Sequence, residues 1–181
     1  MTLDGSCVGC VFADNELQGG GIILNAGAHN NTIEVEDAVV TDNSGAANYI
    51  YDDAKTVTPF WTGSVSNPVL GNGTLTGRAE RRGKSLMVDI KLTIGSSTTL
   101  GSGTWFFGLN SGGYTTLAAF HAVGSVVATH SGAVSVGAAV VNVGESGIAC
   151  YIDGGTAFDA AEPWAWGAGD TLSLSMEIPL Y

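Results

Sequence analysis

The stretch from Thr58 to Leu109 decides the fold: TPFWTGSVSNPVLGNGTLTGRAERRGKSLMVDIKLTIGSSTTLGSGTWFFGL. Within it Leu86, Val88, Ile90, Leu92 and Ile94 alternate with Met87, Asp89, Lys91 and Thr93. A period of two marks a strand with one buried and one wet face. Gly73–Arg82 reads as a second extended run, and Arg82-Gly83 as the tight turn that lets the two pair as a hairpin. Trp105, Phe106 and Phe107 open a further strand, with either Trp105 and Phe107 or Phe106 facing inward.

Working outward, the downstream chain reads as eight strands, near 59–65, 73–82, 85–95, 104–109, 116–128, 133–142, 147–153 and 171–180. Spacing of this kind, with Gly or Asn at the joins, is the pattern of an antiparallel β-sandwich. In the last strand Leu172, Leu174, Met176, Ile178 and Leu180 alternate with polar residues, so one face is buried. Pro179 there points to an edge or a strand end. Ala and Val dominate 117–143, and such runs are apolar on both faces. In an oligomer the second face can pack against a neighbouring copy.

Upstream the texture changes. Short β-branched runs at Gly21–Asn25, Asn31–Val35, Ala38–Thr41 and Asn48–Tyr51 alternate with Asn, Asp and Gly. They resemble rungs of a right-handed parallel β-helix, where each rung must stack on neighbours to bury its face. Asn31-Thr-Ile and Asn48-Tyr-Ile place Asn at a turn just before an inward Ile. The reading is therefore all-β: residues 1–56 as about two β-helix-like rungs or an extended β arm, and residues 57–181 as a β-sandwich.

Composition bounds the function. Hydrophobic residues make up 45% of 181, enough for a real core, and 27 Gly without a collagen period suit tight turns. No apolar run approaches the ~20 residues of a membrane helix, so no membrane insertion is expected. Net charge is −11, which repels phosphate and argues against nucleic acid. That charge is uneven. Residues 1–54 hold nine acids and no Lys or Arg, whereas Arg78, Arg81, Arg82, Lys84 and Lys91 all sit on one hairpin. A solvated turn balanced by Glu80 and Asp89 would account for them.

Catalytic chemistry finds little support. Glu34 and Glu36, with Asp37 beside them, would share a strand face about 7 Å apart, a spacing that glycoside hydrolysis permits. Acidic pairs of this kind are also common on exposed strands, so no catalytic residue is assigned. His29, His121 and His130 are dispersed, and Cys7-x-x-Cys10 lacks the second half of a metal site. No metal or cofactor is expected, and the three cysteines read as reduced and structural. The aromatic residues are better candidates. Trp164 and Trp166 share a face if extended, and Tyr114 sits in a Ser-Gly-Gly-Tyr-Thr loop; these three could offer stacking surfaces to sugar rings.

Several motifs fall together. A Trp follows Pro59; then come G-N-G-T-L-x-G-R at Gly71–Arg78 and x-R-x-G-K at Glu80–Lys84. G-S-x-T-T-x-G-x-G-x-W-x-F spans Gly95–Phe107, and W-x-x-G-D-x-L-x-L spans Trp166–Leu174. This set resembles the C-terminal region of bacteriophage tail fibres and tailspikes, over about two thirds of the chain. The resemblance implies the end of a β-helix followed by a jelly-roll-like β-sandwich, forming a homotrimer. It also implies a virion protein of the tail, made in the host cytoplasm, that contacts other virion proteins and attaches to host cell-surface polysaccharide. A capsid decoration or head-fibre protein, and a fragment of a polysaccharide depolymerase, are the alternatives.

Overall fold

The computed structural model describes residues 2–3, 7–12, 21–35, 39–42, 44, 48–109, 121–143, 147–152 and 155–179. Among these residues all regular structure is β. The chain divides into two compact units. One comprises Met1–Lys55 with the hairpin tip Glu80–Leu86, and the other Thr56–Ala79 with Met87–Tyr181.

The first unit is a parallel stack. Strands β1 (Thr2–Leu3), β3 (Gly21–Leu24) and β5 (Val39–Asp42) form one sheet. Strands β2 (Val11–Phe12), β4 (Thr32–Val35) and the start of β6 (Tyr49–Val57) form a second parallel series. Register places like on like, with Leu3 opposite Leu24, Phe12 opposite Ile33, and Ile33 opposite Ile50. Leu3, Ile22, Leu24, Ala28, Ile33 and Ile50 therefore merge into one buried cluster, packed by Cys7, Phe12 and Val40. Each fully buried Leu or Ile contributes about 1.5–3 kcal/mol, which no single rung could gain alone. Three strand levels are stacked where the sequence pointed to about two rungs.

The Asn residues act as that pattern required. Asn31 is fully buried and Asn48 is 2% exposed. Asn31 Nδ2 donates to Asn48 Oδ1 at 3.1 Å and to Cys7 O at 3.1 Å, and its Oδ1 accepts from Cys10 N at 2.9 Å. Asn48 Nδ2 reaches Ala28 O at 3.1 Å. The amides thus satisfy turn backbone groups that the stacked strands leave unpaired, which burial would otherwise penalise.

The second unit is antiparallel wherever its register is defined. It contains β7 (Pro59–Gly63), β8 (Thr74–Gly83), β9 (Ser85–Thr93), β10 (Trp105–Leu109), β11 (Ala122–His130), β12 (Ala133–Val141), β13 (Ile148–Ile152) and β14 (Thr171–Pro179). The tip of the β8–β9 hairpin is the part that groups with the first unit. The strand order is β8-β9-β14-β11-β12-β13-β10-β7, a single curled sheet. The β8–β9 turn falls on Lys84, just past Gly83 at φ 63°. Strand β14 lies inside the sheet, between β9 and β11, and not at an edge; Pro179 is accommodated because it is the strand's last residue.

Alternation sorts the side chains as read. Leu86, Val88, Ile90 and Leu92 on β9, and Leu172, Leu174, Met176 and Ile178 on β14, are all buried. Two of the quoted motifs lock onto each other. Asn72 Oδ1 accepts from Ser97 N and Ser97 Oγ, both at 2.9 Å, and Thr98 Oγ1 donates to Leu70 O at 2.6 Å. Gly71 sits at φ 58° against the Ser97 carbonyl, where a Cβ would be both strained and overlapped.

Candidate functional site

The tryptophans build from the core outward. Trp105 and Phe107 are fully buried on β10, so that pair is the inward face and Phe106 the half-buried one. Trp61 meets Trp105 edge-on at 5.0 Å and stacks parallel to Phe107 at 6.3 Å. Trp166 completes the cluster, 5.1 Å from Trp105, with its indole N–H bridging Asp159 O (2.9 Å) and Glu162 O (3.1 Å). At 8% exposure Trp166 has little surface left for a sugar ring. Its neighbour Trp164 is half-buried, 5.9 Å from Trp166 and 5.5 Å from the ring of His130. Tyr114 lies outside the described residues.

Asp170 holds this loop in place. Only 5% exposed, its Oδ2 accepts from Gly167 N at 2.7 Å and from His130 Nδ1 at 2.8 Å. Its backbone also engages β9, since Ile94 N donates to Asp170 O at 2.9 Å. The G-D pair of the terminal motif is thus a clamp between the loop and the ends of β9 and β11.

The remaining sequence candidates separate. Glu34 is exposed on β4, and Glu36 and Asp37 lie outside the described residues. Cys7 and Cys10 are half-buried beside Asn31, and Cys150 is buried on β13; none is in a disulfide. Burial pushes the Cys150 thiol up to about 12.

The outer face of the second unit carries two features. On β11 and β12 the residues Val123, Val134 and Val136 stand 69%, 63% and 58% exposed, and Val127 faces Val136 across the ladder. Beside them is a groove of about 610 Å³. Arg78, Asp89 and Lys91 on β8 and β9 line one side, and Ser173, Ser175, Ser125 and Val127 on β14 and β11 line the other. Alternation explains the lining. Buried Ala79, Ile90, Leu174 and Val126 interleave with these residues, which must therefore point outward.

Sequence comparison points the same way as the fold. The chain is 31% identical over 121 residues to the Mu-like prophage FluMu defective tail fiber protein of Haemophilus influenzae. That match covers 63% of the chain and 18% of the relative. The crystal structure of the Dettilon tailspike protein superposes with a TM-score of 0.51 at 15% identity, over 95% of the chain and 37% of the tailspike. The chain is similar to phage tail fibres in sequence and to a phage tailspike in fold. It spans under two fifths of the length of these tail proteins. No protein-family profile matches it.

Groove and clamp both escaped the sequence reading. Their members come from strands tens of residues apart, and His130 and Asp170 are separated by 40 positions. The one signal available was the concentration of basic residues on the β8–β9 hairpin.

Proposed function

We propose that this chain is part of a phage tail fibre or tailspike, assembles as a homotrimer in the virion, and attaches to host cell-surface polysaccharide. The observation that carries assembly is the exposed valine face of β11 and β12. A face that lies on a threefold axis meets its own two copies there, so charges on it would repel. This face is uncharged in a chain of net charge −11, being built of Val123, Val127, Val134, Val136, Ser125 and Ala138. An apolar surface of this kind marks contact with another protein.

Attachment to polysaccharide is supported by the likeness to tail fibre and tailspike proteins. Tyr114 and the half-open Trp164 are the aromatic rings proposed to meet sugar, with Trp166 backing Trp164 from the core. The role is adhesion rather than catalysis. Antibody fragments raised against the folded chain should decorate virion tails and block adsorption to host cells. Labelling of the capsid instead, or undiminished adsorption by decorated virions, would overturn this reading.

A further inference from the structure

The basic residues of the β8–β9 hairpin do not share one fate. Arg82 is neutralised by Glu80, with Nε to Oε1 at 2.6 Å and Nη2 to Oε2 at 3.0 Å. Arg78 and Lys91 are different: among the described residues neither has a carboxylate within ion-pair distance. Asp89, which could have balanced them, is likewise outside ion-pair reach of both. All three line the groove on the outer face of the second unit.

The chemistry of that lining is specific. Two uncompensated cations give the groove a positive balance on a chain that is otherwise acidic, so it selects an anion that the rest of the surface repels. Ser125, Ser173 and Ser175 offer hydroxyls that both donate and accept, and Asp89 accepts from hydroxyl donors. Val127 supplies an apolar wall. A groove of about 610 Å³ is within the roughly 300–1,000 Å³ of small-ligand pockets. A ligand matching these features carries many hydroxyls, an apolar ring face and a negative group.

From this we infer that the groove binds an acidic saccharide, its carboxylate or phosphate held by Arg78 and Lys91 and its hydroxyls by Asp89 and the serine rows. This rests on the polysaccharide-binding reading and adds a charged subsite to it. The groove shares Ser125 and Val127 with the face proposed to meet other copies, whereas Arg78, Asp89 and Lys91 lie on β8 and β9, beyond β14 from that face.

The test is an array of bacterial polysaccharide fragments comprising uronate-bearing, phosphorylated and neutral members, probed with the intact chain. Binding should be confined to acidic fragments and should weaken as sodium chloride is raised. The array itself tells carboxylate from phosphate. Arg78→Gln and Lys91→Gln, each at an exposed position, should each weaken binding roughly tenfold while leaving the fold unchanged by circular dichroism. If neutral fragments bind equally, or if folded Arg78→Gln/Lys91→Gln binds undiminished while Trp164→Ala does not, the groove assignment is wrong and the polysaccharide reading stands. If the folded chain binds no fragment at all, both are overturned.

Discussion

Asn31 donates from its side-chain amide to the side-chain carbonyl of Asn48, 17 residues on and one strand level away. Both side chains are buried, and the same two levels bring Ile33 over Ile50. Cys10 occupies the corresponding place one level further, because Phe12 lies opposite Ile33, and its backbone N–H donates to Asn31 Oδ1. The first unit is thus held by an apolar stack inside and an amide ladder at the turn beside it.

Asn31→Ala should therefore be costly. It removes the acceptor for Cys10 N and the donor to Cys7 O and Asn48 Oδ1. Each buried group left without a partner costs about 1–3 kcal/mol. A loss of at least about 2 kcal/mol is expected, read as faster amide hydrogen exchange in β3, β4 and the start of β6. Protection in β11 and β14 should be unchanged.

How much of this was legible follows from the range of each signal. Leu86–Ile94 and Leu172–Ile178 declared their strands because period-two alternation is local, and Asn31-Thr-Ile and Asn48-Tyr-Ile declared their rungs because the repeat carries its own register. The placement of Trp164 and Trp166 was less legible for the same reason. Their spacing puts them on one face only in an extended strand, and Pro163–Gly167 is a loop that turns Trp166 into the core. The groove was invisible, since Arg78, Asp89, Ser173 and Ser125 become neighbours only through the β8-β9-β14-β11 strand order.

The two tryptophans of the core and its margin should respond differently. Trp105→Ala removes a fully buried ring that touches Trp61 and Trp166 and donates to Leu100 O at 3.0 Å. Truncation of such a residue costs about 3–5 kcal/mol. Trp164, partly solvent-facing, should cost roughly 1 kcal/mol. Urea unfolding of the two variants checks this, and equal losses would contradict the placement of Trp105 at the centre.

Cys150 offers a prediction in pH. Its folded-state thiol is raised from 9.0 to about 12 by burial. Between those values the unfolded chain has released a proton that the folded chain still holds. Stability must then fall as pH rises above about 9, by up to about 1.4 kcal/mol per pH unit. Cys150→Ala should flatten that part of the curve, whatever it does to stability at neutral pH. In the native protein near neutrality Cys150 should resist alkylation while the half-buried Cys7 and Cys10 react.

Assembly is tested most directly at Val136. The residue is 58% exposed in the single chain and faces Val127 across the ladder, so Val136→Asp places its carboxylate in water if the chain is a monomer. The substitution should then be nearly silent, within about 0.5 kcal/mol. In the proposed trimer the same carboxylate would be buried next to two symmetry-related copies of itself, without a cation on the surrounding valine and serine face. A charge buried without a partner costs about 3–5 kcal/mol. Sedimentation equilibrium of the parent chain should give three times 18.4 kDa, and Val136→Asp should shift the mass toward 18.4 kDa with its circular dichroism intact. A parent chain that sediments as a monomer would leave the exposed valines without a second copy to cover them. A trimer indifferent to Val136→Asp would move the contact to another face.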